Sequence, residues 1–150
     1  LEERALRYFA NYSSSLDRDC ELRKIHPVSA LIFGRLNLKQ IREKRRANYT
    51  RLASTLKSCS GFTMLKPELN EWEVPLCLPI LVEEFDRDYL RSKLRKNNIY
   101  CPVHWPIIGN DLNSLSRDTK RLYEDGLSLI IDQRYGTEEM DRVSDVLSTI

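Results

Sequence analysis

Few side chains in this sequence have the type and setting to do chemistry, and His104 is the first of them. It lies in Ile-Tyr-Cys-Pro-Val-His-Trp-Pro (99 to 106), where Ile99, Cys101, Val103 and Trp105 alternate with Tyr100 and His104. If the first set faces a core, Tyr100 and His104 face solvent or a partner. An imidazole so placed can hydrogen-bond a substrate hydroxyl or phosphate. The plainer reading is an ordinary surface or hydrogen-bonded histidine. Arg134 and Tyr135, adjacent on an expected loop, join a planar cation to a phenol, which suits an anionic ligand or an interface; a loop arginine is more commonly just solvated. Other chemistry finds no support. Serines are plentiful, yet there is no Gly-x-Ser-x-Gly elbow, no P-loop and no Gly-x-Gly-x-x-Gly. The carboxylates are scattered along helices and offer no acid–base pair. Cys20, Cys59, Cys77 and Cys101 are widely spaced, with only two histidines to assist. That is a poor metal signature, so buried free thiols and no metal are expected.

The elements that must position these groups follow from periodicity. Trp72, Val74, Leu76, Leu78, Ile80 and Val82 alternate with polar residues, prolines and Cys77, the period of a strand. Pro75 and Pro79 share a parity, so both missing N–H groups point one way, which predicts a sheet edge or a bulge. Asp86 offers an N-cap for a helix with Leu90 and Leu94 inward, ending near Asn97 and Asn98. Ile99 to Trp105 reads as a second strand. Leu127, Leu129 and Ile131 read as a third, followed by the loop Asp132 to Gly136. Thr137 is expected to cap a last helix, with Glu138 and Glu139 in its first turn, where the helix dipole favours them, and Met140, Val143, Leu147 and Ile150 buried.

Upstream, Leu1, Ala5, Tyr8, Tyr12 and Leu16 fall at helical spacing, and Pro27 separates this segment from the rest. Asn37 caps an expected helix to about Ser58 whose face is Leu38, Ile41, Arg45, Tyr49, Leu52 and Leu56. A guanidinium on that face must find a partner or meet a polar cleft. Cys59 to Asn70 reads as loop, and Asp111 to Asp125 as a polar connection with a turn or two of helix. Three short strands with amphipathic helices make a two-layer α+β domain, helices on one face of the sheet.

The chain of 150 residues is one domain's worth, with a hydrophobic fraction of 41% and a charged fraction of 31%. No apolar run approaches the ~18 residues a membrane span needs, so no membrane partner is expected. A net charge of +2 gives no general pull toward nucleic acid. The start at Leu1 rather than Met leads us to expect a piece of a longer polypeptide. Nothing suggests export, so a reducing cytoplasm is expected. Residues 37–58 carry Lys39, Arg42, Lys44, Arg45, Arg46, Arg51 and Lys57 against the lone acid Glu43. A solvated basic face is one reading. The other is a phosphate-contacting helix in a nucleic-acid- or protein-binding α+β module. For RNA such a module would need stacking aromatics, and Tyr100 is the plausible candidate.

Three stretches in order resemble the DegT/StrS-type aminotransferases, pyridoxal-phosphate (PLP) enzymes of the aspartate aminotransferase fold. Residues 29–49 are similar to the long helix that leads into the family's small domain, with Arg46 and Tyr49 matching its recurring Arg and Tyr. Residues 98–106 resemble the small-domain strand that ends in His and an aromatic, and residues 127–140 its last strand, loop and capped helix. The resemblance implies that residues 28–150 are a C-terminal small domain, with a short, largely antiparallel sheet, closing over an active site. Residues 1–27 would then be a helical segment ending, or linking from, a larger N-terminal domain. It implies a parent that is a homodimer handling nucleotide-linked keto or amino sugars, with His104 at the substrate end of the cleft. Arg134 and Tyr135 are weaker carry-overs to substrate binding, because the family usually has a different loop there. The Schiff-base lysine and most PLP contacts belong to the larger domain, so no catalytic or cofactor-binding residue is assigned here.

Overall fold

A computed structural model describes residues 24–104 and 115–150, together with helical Arg4 and Tyr8. The rest of the expected first helix, Cys20, and the segment from Trp105 through Gly109 and Asn110 to Ser114 lie outside the described residues. The chain divides into two compact units, 1–36 and 37–150.

In the first unit, Pro27 opens helix α1 (Pro27–Gly34), where its missing N–H costs nothing and its fixed φ suits a first turn. His26 is the N-cap, its Nδ1 accepting from the Val28 N–H at 3.3 Å. The stretch read by resemblance as one long helix is therefore two. Arg35 and Leu36 close back on Ile32 and Phe33 through i−3 bonds, and Gly34 ends α1.

In the second unit, Asn37 accepts from the Gln40 N–H at 3.0 Å and starts α2 (Leu38–Leu56), as the sequence predicts. The chain continues through β1 (Phe62–Met64), β2 (Cys77–Val82), α3 (Arg87–Lys96), α4 (Arg117–Asp125), β3 (Gly126–Ile130) and α5 (Thr137–Ser148). The sheet is antiparallel throughout in the order β1-β2-β3, with Met64 opposite Ile80 and Ser128 opposite Pro79. Leu78, Ile80 and Val82 of β2 and Leu127 and Leu129 of β3 meet Tyr49, Leu52 and Leu56 of α2, Leu90 and Leu94 of α3, and Met140, Val143 and Leu147 of α5 in one core. This is the two-layer α+β architecture.

Sheet membership differs from the periodicity reading in three places. β1 lies in the stretch read as loop, and three residues are too few to show a period. The 99–105 strand is not formed over its described part: residues 99–104 run beside β3 with the single ladder-like bond Ser128 N–H to Pro102 O (3.4 Å), and prolines at 102 and 106 remove the donors a ladder needs. The strand expected from Trp72 begins at Cys77 and is central, not an edge. Pro79 is tolerated there because its carbonyl, accepting from Leu65, points toward β1 just past that strand's last pair. The absent N–H thus falls at the end of the β1 ladder, where it costs one bond opposite Leu65.

Helix α3 starts as expected on Asp86, which accepts from the Tyr89 N–H at 2.8 Å. It ends in a Schellman motif: Asn98 takes φ 57°, its N–H bonds Arg95 O, and the Ile99 N–H bonds Leu94 O at 2.9 Å. At α5 the cap is Gly136 rather than Thr137, with the Glu139 carboxylate accepting from the Gly136 N–H at 2.8 Å. Thr137 is instead the first helical residue.

Candidate functional site

Helix α2 owes its run of cations to the loops it holds. Arg42 Nη2 donates to Glu71 O at 2.8 Å, with its guanidinium 5.8 Å from the centre of the Trp72 ring. Arg46 Nη1 donates to Asn70 O (2.8 Å) and to Glu73 O, and the Tyr49 hydroxyl donates to Lys66 O. Lys66 pairs with Glu73, and that bond is the main cause holding the Glu73 carboxyl below its ordinary range. Arg51 grips Asp141 of α5 through two bonds, 2.6 and 2.9 Å. Of the seven basic side chains read as a solvated or phosphate-contacting face, Arg42, Arg45, Arg46 and Arg51 are committed to internal partners. Lys39, Lys44 and Lys57 are exposed.

The loop after β3, which carries Arg134 and Tyr135, is fixed from below by the same helix. Arg45 Nε donates to Gln133 Oε1 at 2.6 Å and its Nη2 lies 3.9 Å from Asp132 Oδ2, so the guanidinium on the apolar face does find partners. Asn48, 2% exposed, spends its amide on Asp132 O (3.0 Å), Tyr135 O (3.1 Å) and Ile131 O (3.4 Å). The sequence reading passed over Asn48. Its signal is an amide seven residues past Ile41 and four before Leu52, inside the buried stripe. Above this anchor, Arg134 folds back on Asp132, Nε to Oδ1 at 2.9 Å and Nη2 to Oδ2 at 3.2 Å. Those bonds, aided by the Arg134 N–H, hold the Asp132 carboxyl below its ordinary range and raise the already high Arg134.

Tyr135 is 40% exposed and Tyr100 57%, and both line a cavity of about 140 Å³ whose floor includes Ile99, Met140 and Val143. His104 is half-buried, with Nε2 shielded from solvent, and is not among the residues lining that cavity. The structure therefore joins Tyr135 to Tyr100 in one cavity and leaves His104 outside it. Cys101, between Tyr100 and His104 in sequence, is buried and its thiol is pushed up to about 12, chiefly by desolvation. It is thus no nucleophile near neutrality.

A cofactor bound as an imine needs a desolvated amine. All eight lysines are described, and every one is exposed or half-buried on a helix or loop, so the residues present do not fit that role. Among the described residues no three His, Cys, Asp or Glu side chains gather to hold a metal ion. No described helix is long and apolar enough to cross a membrane.

With this geometry in hand, the likeness to known proteins is specific. No curated protein sequence matches the chain significantly. Solved structures do. DesV of S. venezuelae in complex with a ketimine intermediate superposes with a TM-score of 0.64 at 20% identity, covering 81% of this chain and 34% of that one. DesI in the presence of its TDP-sugar product gives 0.63 at 17%, covering 81% and 33%. E. coli GDP-4-keto-6-deoxy-D-mannose-3-dehydratase with bound hydrated PLP gives 0.61 at 18%, covering 73% and 31%. At such identities these likenesses establish the fold, and the chain spans about a third of the length of each relative. The sequence profile of one family matches residues 24–148, nearly the whole chain. The antiparallel sheet and that profile agree: the chain belongs to the DegT/DnrJ/EryC1/StrS aminotransferase family.

Proposed function

We propose that this chain is the closing, substrate-facing part of a PLP-dependent aminotransferase that acts on a nucleotide-linked sugar. In this reading residues 28–150 form the small domain, and residues 1–27 connect it to a larger one that supplies the lysine and the phosphate grip. The observation that carries it is the family match across residues 24–148 in a chain whose own lysines are all solvent-facing or half-buried. Its structural relatives, among them one with bound PLP, one solved with a TDP-sugar product and one named for a GDP-linked keto sugar, support the substrate class. PLP, where bound, supplies the electron sink for amino transfer. His104 then positions a sugar hydroxyl or phosphate, and Arg134 and Tyr135 attract and orient the anionic part of the ligand. The parent works as a homodimer in the cytoplasm.

The test is the longer polypeptide that carries this chain, assayed with nucleotide-linked keto sugars. His104→Ala is expected to raise KM by about tenfold and to lower kcat by less than about threefold, the pattern of lost binding rather than lost proton transfer. Unchanged KM and kcat would remove His104 from the site. A collapse of kcat at constant KM would make it a catalytic group instead.

A further inference from the structure

Two polar side chains break the apolar stripe of α2, and both serve the loop after β3, Asp132 to Gly136. Arg45 and Asn48 stand one turn apart on the helix, where apolar side chains would pack without taking a cation and an amide out of water. Asn48 holds the Ile131, Asp132 and Tyr135 carbonyls, and Arg45 Nε holds Gln133 Oε1 at 2.6 Å. The loop also closes on itself, the Tyr135 N–H bonding Asp132 O at 3.1 Å and the Arg134 N–H bonding Asp132 Oδ1 at 2.9 Å. A loop fastened at so many points has its backbone fixed before any ligand arrives. What it holds out to solvent is the Arg134 side chain, 75% exposed.

Asp132 meets two cations in different settings. Arg134 reaches it from the solvent side, Nε to Oδ1 and Nη2 to Oδ2. Arg45 reaches it from α2, Nη2 to Oδ2 at 3.9 Å, and there the two side chains are only 19% and 18% exposed. Water and salt weaken a pair with an exposed partner more than a sheltered one. Arg134 is therefore the partner that can leave. Its planar fork, now set against a carboxylate, fits a phosphate in the same bidentate manner. Its departure would strand a largely shielded carboxylate were Arg45 not beside it. We infer that Arg45 is a positioning residue: by keeping Asp132 paired and Gln133 in place, it lets Arg134 pass from Asp132 to a phosphate of the nucleotide-linked sugar. The inference rests on the reading of Arg134 as a ligand contact and adds the group that acts through it.

A double-mutant cycle in the longer polypeptide tests this, with TDP- and GDP-linked keto sugars as substrates. Arg134→Ala is expected to raise KM for the sugar about tenfold. Arg45→Met is expected to raise it about fivefold alone and less than about 1.5-fold beside Arg134→Ala, with kcat within about twofold throughout. A purely structural role would not make the effect of Arg45 vanish when Arg134 is gone. Gln133→Ala, which removes the acceptor of Arg45 Nε from the loop side, is expected to show the same dependence. It carries the test if Arg45→Met loses native far-UV circular dichroism. Equal rises in KM with and without Arg134, no rise in either, or a rise confined to the KM of the amino donor overturns the inference. Arg134→Ala with unchanged KM would remove Arg134 from the site, overturning the underlying reading and the inference with it.

Discussion

Asn48 is the residue on which the Arg134–Tyr135 loop rests. Its amide is buried and serves three carbonyls of residues 131 to 135. Asn48→Ala removes a buried donor from these carbonyls, of which Asp132 O keeps the Tyr135 N–H, so we expect a loss of about 1–3 kcal/mol in urea unfolding. A loss below about 0.5 kcal/mol would mean that water or a shifted loop replaces the amide. The paired carboxylates predict an acid response. Asp132, Asp141, Glu73 and Glu139 all have folded values below their ordinary 3.8 or 4.5, each through a hydrogen bond named above. A carboxylate with a depressed folded value favours folding above its unfolded value and ceases to do so as pH falls through the folded one. The urea midpoint should therefore stay level from about pH 7 to 5 and fall below about pH 4.5, with Asp132→Asn falling less steeply. A midpoint that holds steady into acid, or a variant as acid-sensitive as the wild type, contradicts these pairings.

At the scale of elements, α2 is both core and clamp. Arg46→Ala removes a donor from the Asn70 and Glu73 carbonyls; Asn70 O keeps the Glu73 N–H, and Asn70 is exposed where water can reach it. Global stability should drop by about 1 kcal/mol or less, while hydrogen exchange in residues 66–74 accelerates. Unchanged protection there would show that Tyr49 and the Lys66–Glu73 pair hold the loop alone. Caps and long stripes were largely legible in the sequence: Asn37, Asp86, the Asn97–Asn98 stop and the faces of α2, α3 and α5 need only local geometry to be read, except that Leu38 and Ile150, expected on those faces, are exposed. Features set by tertiary contact were not. Phe62–Met64 becomes a strand because Val82 to Ile80 offer it a ladder, and Pro79 is admitted to a central strand because β1 stops beside it. Ser116 caps a nine-residue α4 in a stretch whose polarity promised only a turn or two. His104, Arg134 and Tyr135 could be named from their types and neighbours. The cavity joining Tyr135 to Tyr100 could not, since it depends on how α5 crosses the end of α3.

For the whole molecule, family membership and missing amine belong together. The fold covers about a third of each structural relative, and the lysines it contains are built for solvent, caps and ion pairs. Four of the seven basic side chains of residues 37–58 hold the chain's own loops and its last helix. The account stands or falls on whether these 150 residues can hold PLP as an imine by themselves. The direct measurement is an absorbance titration of the isolated chain with PLP, followed by borohydride reduction and mass analysis. We expect no saturation at one equivalent and only scattered, substoichiometric labelling of surface lysines. A stoichiometric spectral change trapped on a single lysine would contradict the account.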